Sequence, residues 1–315
     1  MNQAKLAQVA QYLCQPGKGI LAADESGGTI EKRFKTINLT STETNRKAWR
    51  ELLFTTPGIN RFISGVILYD ETIRQGLGKI LQDKGILVGI KVDQGLNAAM
   101  ITEGLLGLKE RLMEYIKLGA VFTKWRAVIT IGGPDNLEEN ASRLAEYAKV
   151  TQAVGLVPIV EPEVLMDGDH NLARCEQVTG EVLKKVFAKL KEKEVLLTGM
   201  LLKPNMVLPG KDCPDQAEVS AVAEATLRCF KRWVPEVVPG VVFLSGGLSP
   251  DEATQRLRVI NQRHTGPGQM SFSFGRALQQ EALPVWGGKA ENKAAAQKAF
   301  YDRAVKVAQA RKGQL

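Results

Sequence analysis

The feature that most constrains the fold is a regular alternation of short apolar runs with longer amphipathic stretches. Eight such runs occur along the 315 residues. Near-continuous apolar runs are typical of parallel strands that are covered on both faces. Eight strand–helix units favour a closed barrel over an open sheet, and such a barrel takes about 250 residues. The sequence therefore predicts an α/β fold: a single (β/α)8 TIM barrel with an extra N-terminal helix, in one domain over residues 1–315.

The predicted elements follow from apolar spacing and from helix-start signals. An N-terminal helix over 3–13 precedes the barrel, and capping-box spacing marks three later helix starts, at Thr40 with Glu43, Asp135 with Glu138, and Ser249 with Glu252. The predicted strands cover 19–26, 62–69, 86–93, 120–126, 155–162, 195–202, 240–247 and 270–274. The other predicted helices cover 40–54, 103–118, 172–193, 217–233 and 289–311.

Charged residues stand at the ends of these strands, which is where barrels of this type build their active sites. Any one of them alone is typical of a strand-end side chain that reaches water. Together they predict one polar mouth, because all of them close the same end of their strands. The residues at these ends are Asp24, Lys91, Lys124, Glu161, Lys203, Ser245-Gly246-Gly247 and Gly275-Arg276.

Lys203 is the least ordinary of these residues. It ends an almost wholly apolar run and precedes Pro204. Desolvation favours a neutral amine, which can attack a carbonyl carbon. The alternative is a lysine whose stem lies on apolar surface while its ammonium group stays in water. With Glu161 to move protons and Asp24 to accept a hydroxyl proton, Lys203 is equipped to form an imine with a ketone and to promote cleavage of a carbon–carbon bond.

The cations and glycines of the mouth favour a phosphorylated substrate. Glycines after the seventh and eighth strands let backbone N–H groups approach a phosphate, and Arg276 adds a planar fork that suits phosphate oxygens. Lys91 is placed to hold a second phosphate, and Ser26 is a further candidate ligand. Lys32 and Arg33 fit either this second site or a solvated helix start. The glycines of Ser26-Gly27-Gly28 are typical of a turn.

Composition excludes several classes of site. The two histidines and four widely spaced cysteines do not provide the ligands of a zinc site, and the cysteines are expected to be free thiols. Neither nucleotide-binding glycine motif is present. The net charge of +8 is concentrated on the last helix, where it favours a solvated face over a nucleic-acid site. With no apolar run long enough to cross a membrane and no signal peptide, a cytoplasmic protein without cofactor, metal, nucleic-acid partner or membrane contact is expected.

Five motifs give the chain a specific resemblance. Taken in order along nearly the whole chain, they resemble those of class I fructose-1,6-bisphosphate aldolases. These motifs are 17–26 (GKGILAADES), 160–163 (VEPE), 201–206 (LLKPNM), 243–247 (FLSGG) and 274–278 (FGRAL).

The resemblance implies reversible cleavage of fructose 1,6-bisphosphate through a lysine Schiff base, without metal. It implies that Lys203 forms the Schiff base, Glu161 acts in dehydration, and Asp24, assisted by Lys124, acts on the C4 hydroxyl. It also implies a homotetramer. The expected phosphate and sugar ligands are Ser245, Gly246, Gly247, Ser273, Gly275 and Arg276 for one phosphate, and Ser26, Lys32, Arg33, Lys91 and Arg126 for the rest of the cleft.

The resemblance leaves some points open. Eukaryotic members end in a tyrosine that assists proton transfer, whereas this sequence ends Gly313-Gln314-Leu315; Glu161 or Glu163 is then expected to take that step. Sedoheptulose 1,7-bisphosphate is an alternative substrate. A barrel that binds anions without turnover is a second alternative, from a different functional class.

Overall fold

The computed structural model describes residues 2–314, so Met1 and Leu315, the ends of the predicted domain, lie outside the described residues. Its centre is a closed barrel of eight parallel strands, each paired with its neighbours in sequence and β8 paired with β1. This confirms the predicted (β/α)8 barrel. The strands are β1 (Gly19–Ala23), β2 (Ile63–Leu68), β3 (Leu87–Lys91), β4 (Phe122–Ile129), β5 (Val157–Val164), β6 (Leu201–Leu202), β7 (Gly240–Phe243) and β8 (Gln269–Phe274).

Helices surround the barrel and cover its outer face. Their apolar sides join the outward-facing strand residues in one large buried core. None of the helices in residues 2–314 is long and apolar enough to cross a membrane. The α-helices are α1 (Gln3–Leu13), α2 (Gly27–Lys35), α3 (Glu43–Thr55), α4 (Asp70–Arg74), α5 (Gly78–Gln82), α6 (Leu108–Lys117), α7 (Leu137–Ala153), α8 (Leu172–Glu192), α9 (Val219–Trp233), α10 (Pro250–Arg263), α11 (Arg276–Gln279), α12 (Ala282–Trp286) and α13 (Lys293–Ala310), with 3₁₀ turns at Ile59–Arg61, Leu197–Gly199 and Ala290–Asn292.

The extra N-terminal helix closes the amino end of the barrel. Leu6, Ala10 and Leu13 of α1 form a second buried cluster with inward-facing residues of the strands, among them Phe122. Space for the Phe122 ring comes from Gly89 on β3, where a Cβ atom would lie only 2.2 Å from the ring. We call this cluster the apolar floor; its members are Leu6, Ala10, Leu13, Cys14, Ile20, Ala22, Ile67, Phe122, Val157, Ile159, Leu201 and Val242.

Two helices follow their sequence signals closely. The predicted helix over 3–13 has those bounds in the structure. At α10, the Ser249 hydroxyl accepts a hydrogen bond from the Glu252 N–H, the Glu252 carboxylate accepts one from the Ser249 N–H, and Pro250 occupies the first turn. Reciprocal capping of this kind satisfies two backbone donors that the helix itself leaves free.

The sixth strand is much shorter than the predicted 195–202. Only Leu201 and Leu202 pair as a strand, because the preceding backbone bonds to a side chain instead. The amide of Gln152, on α7, donates to the carbonyls of Leu196 and Gly199 and accepts from the Leu196 N–H at 2.9 Å. An apolar run alone does not reveal this competition.

Two predicted helix starts were wrong because another residue occupies the N-cap position. At α3 the cap is Thr42, whose hydroxyl accepts from the Asn45 N–H at 3.1 Å, and not Thr40. At α7 the cap position is Asn136, and not Asp135; its side chain is used elsewhere, donating to the Met100 carbonyl.

Glycines account for two further differences. The predicted turn at Gly27-Gly28 is the start of α2, so Lys32 and Arg33 lie in its last turn and not at a helix start. The helix predicted over 103–118 begins only at Leu108, because Gly104 and Gly107 adopt positive φ angles that interrupt helical geometry. β4 and β5, in contrast, run on to Ile129 and Val164, past their predicted ends.

Candidate active site

A cleft of about 1240 Å³ opens at the carboxyl ends of the strands. Every site residue expected from the sequence lines it, although those residues are spread over most of the chain. The structure therefore brings the whole predicted set together. They are Asp24, Ser26, Lys32, Arg33, Lys91, Lys124, Arg126, Glu161, Glu163, Lys203, Ser245, Gly246, Gly247, Ser273, Gly275 and Arg276.

The alternation of side chains along each strand explains how the charges reach the cleft. Residues two apart in a strand share a face. Ile159 and Leu201 belong to the apolar floor, so Glu161 and Lys203, two positions further on, enter the barrel above it. The same step leads from Phe122 to Lys124. The charged groups consequently stand on an apolar base that is almost fully buried.

Lys203 lies immediately after β6 and is 3% exposed. Its backbone N–H donates to the Val160 carbonyl at 2.8 Å, which fixes the residue beside β5. Its Nζ lies 3.2 Å from Glu161 Oε1. A buried amine and a carboxyl group are thus in hydrogen-bonding range, as imine formation and dehydration require.

Lys124 stands at the centre of the charged cluster. Its Nζ lies 2.8 Å from Asp24 Oδ2, 3.3 Å from Glu161 Oε2 and 3.7 Å from Asp93 Oδ2. Burial alone would lower the pKa of Lys124, but these three carboxylates outweigh it and hold the pKa above its ordinary value. Lys124 is therefore an ammonium group that can donate hydrogen bonds and stabilise developing negative charge.

Asp24 is ionised in this setting. Burial alone would raise the pKa of Asp24, but the neighbouring cations Lys124 and Lys203, with Lys91 further away, hold it well below its usual range. The carboxylate is consequently available to accept a proton. Whether it does so depends on a substrate hydroxyl reaching it from the cleft.

The ion pair of Arg126 and Glu163 lines the cleft beside the pair of Lys124 and Glu161. Arg126 and Glu163 follow Lys124 and Glu161 by two positions on β4 and β5, and their side chains form a salt bridge. Burial would lower the pKa of Arg126, but Glu163 and then Glu161 raise it. The register of the two strands places Arg126 opposite Glu161, so the two pairs form one continuous charged layer.

The glycine-rich side of the cleft has the features of a phosphate site. The Ser273 hydroxyl is buried and has no hydrogen-bond partner within residues 2–314, although buried hydroxyls normally have one. A Cβ atom on Gly275 would lie 3.1 Å from the Ala22 carbonyl, so glycine permits a close backbone approach there. Burial and the nearby Arg33 lower the pKa of Arg276. An anion between these two guanidinium groups would relieve their repulsion.

The residues predicted for a second phosphate line the rest of the cleft, except that Arg33 lies close to Gly275 of the first group. Ser26 is the N-terminal cap residue of α2 but makes no side-chain cap bond; its hydroxyl lies 3.2 Å from that of Thr29. Arg33 pairs with Glu25, and Lys91 pairs with Asp93 at 2.5 Å. Of this group, Lys91 and Arg33 are therefore already engaged by carboxylates, as Arg126 is by Glu163.

Sequence reasoning missed two buried acids, Asp93 and Glu25. Asp93 follows Lys91 by two residues, so strand alternation gave the signal that it shares the same face. Glu25 had no such signal, because it follows Asp24 directly and reaches Arg33 and Arg50 on two helices. Burial would raise the pKa of Glu25, but those arginines hold it below its usual value.

The four cysteines are free thiols, as expected, and all four are buried. In the part of the chain that the structure describes, three or more His, Cys, Asp or Glu side chains nowhere form a group that could hold a metal ion.

Comparison with known proteins agrees with this geometry. Residues 5–315 match the family model described as fructose-bisphosphate aldolase class-I. The chain belongs to the class I fructose-bisphosphate aldolase family, whose members are aldehyde-lyases that use a Schiff base. The family expected from the five motifs is thereby confirmed.

Individual relatives cover nearly all of the chain. It is 48% identical to the probable fructose-bisphosphate aldolase class 1 of Xanthomonas campestris pv. campestris, over 96% of each protein. It is 50% identical to the cytosolic fructose-bisphosphate aldolase 4 of Arabidopsis thaliana, over 94% of this chain and 79% of that protein. The aldolase of Plasmodium falciparum, solved with TRAP and a small-molecule inhibitor, is 46% identical with a TM-score of 0.96, covering 99% of this chain and 95% of that one.

Proposed function

We propose that this chain cleaves fructose 1,6-bisphosphate reversibly into dihydroxyacetone phosphate and glyceraldehyde 3-phosphate, with Lys203 as the Schiff-base residue. The observation that carries the assignment is the buried Lys203 amine, 3.2 Å from Glu161 in a cleft otherwise rich in cations. Neither a metal nor a cofactor is needed for the steps that follow.

The first steps join the sugar to the enzyme. The neutral amine of Lys203 attacks the ketone carbon and forms a carbinolamine. Glu161 donates a proton to the carbinolamine hydroxyl, which leaves as water, and the nitrogen lone pair completes the iminium ion. Lys124, an ammonium group 3.3 Å from Glu161, holds that carboxyl group in place.

The iminium ion then serves as an electron sink. Asp24 accepts the proton of the C4 hydroxyl, the C3–C4 bond breaks, and its electron pair moves into the iminium to give an enamine. The C4 oxygen becomes the aldehyde of glyceraldehyde 3-phosphate, which leaves. Lys124 donates to Asp24 at 2.8 Å and favours the ionised carboxylate that begins this step.

The remaining steps release the second product. The proton that Asp24 took from the C4 hydroxyl passes through Glu161 or Glu163 to the enamine carbon. Water then hydrolyses the resulting iminium to free dihydroxyacetone phosphate and Lys203, and the proton released in hydrolysis returns to Glu161. One phosphate binds Ser245, Gly246, Gly247, Ser273, Gly275 and Arg276. The rest of the sugar phosphate contacts Ser26, Lys32, Arg33, Lys91 and Arg126.

The location, assembly and domain extent of the enzyme are part of the proposal. The Arabidopsis relatives named as cytosolic support a cytoplasmic location, and family resemblance supports a homotetramer. A single domain over 1–315 is proposed from the sequence.

A coupled triose phosphate assay tests the proposal. Lys203→Met removes the nucleophile, so turnover should fall by at least about 10⁴-fold. Lys298→Met, an exposed lysine on α13 that pairs with Asp302, is the matched control and should retain full activity. Full activity of Lys203→Met, or complete inhibition of the unchanged protein by EDTA, would contradict the assignment.

The same assay separates the alternatives. Comparing kcat/KM for fructose and sedoheptulose bisphosphates decides between the two sugars. Salt-sensitive retention on heparin without any turnover would favour an anion-binding barrel instead.

A further inference from the structure

Asp93 lies just past the end of β3 and contacts both lysines of the neighbouring strands. Its side chain reaches Lys91 Nζ at 2.5 Å and Lys124 Nζ at 3.7 Å. The Arg126 N–H donates to its Oδ2 at 3.2 Å, and its own carbonyl accepts a hydrogen bond from Lys91 Nζ at 2.6 Å. Asp93 is 8% exposed, so these contacts are made largely away from water.

The strand register explains why a carboxylate is needed there. Lys91 on β3 and Lys124 on β4 are direct partners in the sheet. Like charges directly opposite one another destabilise a strand pair, and burial strengthens the repulsion. Asp93 places one negative charge between two ammonium groups that the fold forces side by side.

The two lysines depend on Asp93 to different extents. Lys124 has two other carboxylates within 3.3 Å, from Asp24 and Glu161. Within residues 2–314, Asp93 is the one acidic partner of Lys91. Without that carboxylate, Lys91 would keep only its hydrogen bond to the backbone carbonyl of residue 93, and a long lysine side chain held at one point samples more rotamers. Loss of Asp93 would therefore release Lys91 most and would turn Lys124 away from Asp24 and Glu161 to a smaller degree.

We propose that Asp93 is a positioning residue for the aldol reaction, holding Lys91 at the second phosphate and Lys124 against the Asp24–Glu161 pair. The proposal rests on the function proposed above. It assigns to Asp93 two separable effects. One acts on binding of the second phosphate through Lys91, and the other acts on the bond-breaking step through Lys124.

Asp93→Asn removes the charge but keeps an oxygen that can accept from the Arg126 N–H. Measuring this variant with two sugars separates the two effects. With fructose 1,6-bisphosphate, KM should rise about 10-fold and kcat should fall about 10-fold, in line with the cost of a misplaced catalytic group. Fructose 1-phosphate lacks the second phosphate. With that sugar, kcat should fall to a similar extent while KM stays within about twofold.

Controls distinguish positioning from general damage to the fold. Glu103→Gln is the matched control, because it alters a carboxylate that pairs with Arg143 outside the cleft. Its kcat and KM for both sugars should stay within about twofold of the original. Asp93→Glu restores the charge and should recover part of the lost activity. Thermal melting of each variant checks folding.

Equal losses of kcat/KM for both sugars would show a merely structural role and overturn the proposal, as would unchanged constants for both. Failure of the proposed function is distinguishable, since the unmodified protein would then give no turnover and no borohydride-trapped adduct. The Asp93→Asn protein should still form that adduct with dihydroxyacetone phosphate, because Lys203 and Glu161 remain.

Discussion

The two ends of the barrel interior are built from the same strands and the same inward face, yet they differ completely in chemistry. At the amino end, α1 and the apolar floor exclude water. Two residues further along the strands, Asp24, Lys124, Glu161 and Lys203 form a buried charged layer. The difference shows that a single step in strand position separates residues that hold the fold from residues that hold the chemistry.

The floor also matters to the charged layer above it. Charges interact more strongly where water is excluded, and the floor keeps water from the base of the cleft. Substitutions in the layer should therefore affect turnover far more than folding, and substitutions in the floor should do the reverse.

After loss of Lys203 itself, the largest effect is expected from Glu161→Gln in the charged layer. The amide cannot donate or accept the proton that dehydration transfers, so kcat should fall by about 10²- to 10⁴-fold. The measurement is steady-state kinetics together with thermal melting. A loss of activity that merely parallels a loss of folded protein would show that the charged layer is structural. The layer and the floor would then not differ in the way described.

Leu13→Ala in the floor should have the opposite signature. Leu13 is fully buried at the base of the barrel, packed against the backbone at Gly65. Truncation leaves a cavity and should lower the free energy of unfolding by about 2–5 kcal/mol. Activity at a temperature where the variant is folded should stay within about twofold of the original.

A surface leucine provides the control for this prediction. Leu106 is 96% exposed. Leu106→Ala should change stability by no more than about 0.5 kcal/mol in urea titrations. If Leu13→Ala were equally mild, α1 would not be closing the barrel in the way described.

The smallest expected effect is a change in the free energy of unfolding at acid pH. The pKa of Asp24 is lowered in the folded protein, so its ionisation adds stability above the unfolded pKa of about 3.9 that is lost as pH falls below it. Between pH 6 and pH 3.5, the free energy of unfolding of the unchanged protein should therefore fall by about 1 kcal/mol more than that of Asp24→Asn. Urea titrations across this range measure it; a pH-independent difference would contradict the charge assignment.

Much of the fold and the site could be predicted because the signals are local and repeated. Apolar runs indicated eight strands, and their polar ends indicated which residues meet in the cleft. The short sixth strand could not be predicted, because the amide of Gln152 replaces its backbone partners and lies far away in sequence. Glu25 could not be found either, since its partners Arg33 and Arg50 belong to helices whose packing no strand pattern describes.

Asp93 is the intermediate case. Its spacing from Lys91 was visible, but its role depends on strand register, which places Lys91 opposite Lys124. The predicted neutral amine of Lys203 and the roles of the other site residues remain predictions until the reaction is tested.

Covalent trapping tests directly whether Lys203 forms the Schiff base. The protein is incubated with dihydroxyacetone phosphate, reduced with borohydride and digested, and the modified lysine is located by mass spectrometry. One stable secondary amine is expected, on Lys203. Modification of Lys91 or Lys124 in its place, or full turnover with no adduct on any lysine, would contradict that expectation.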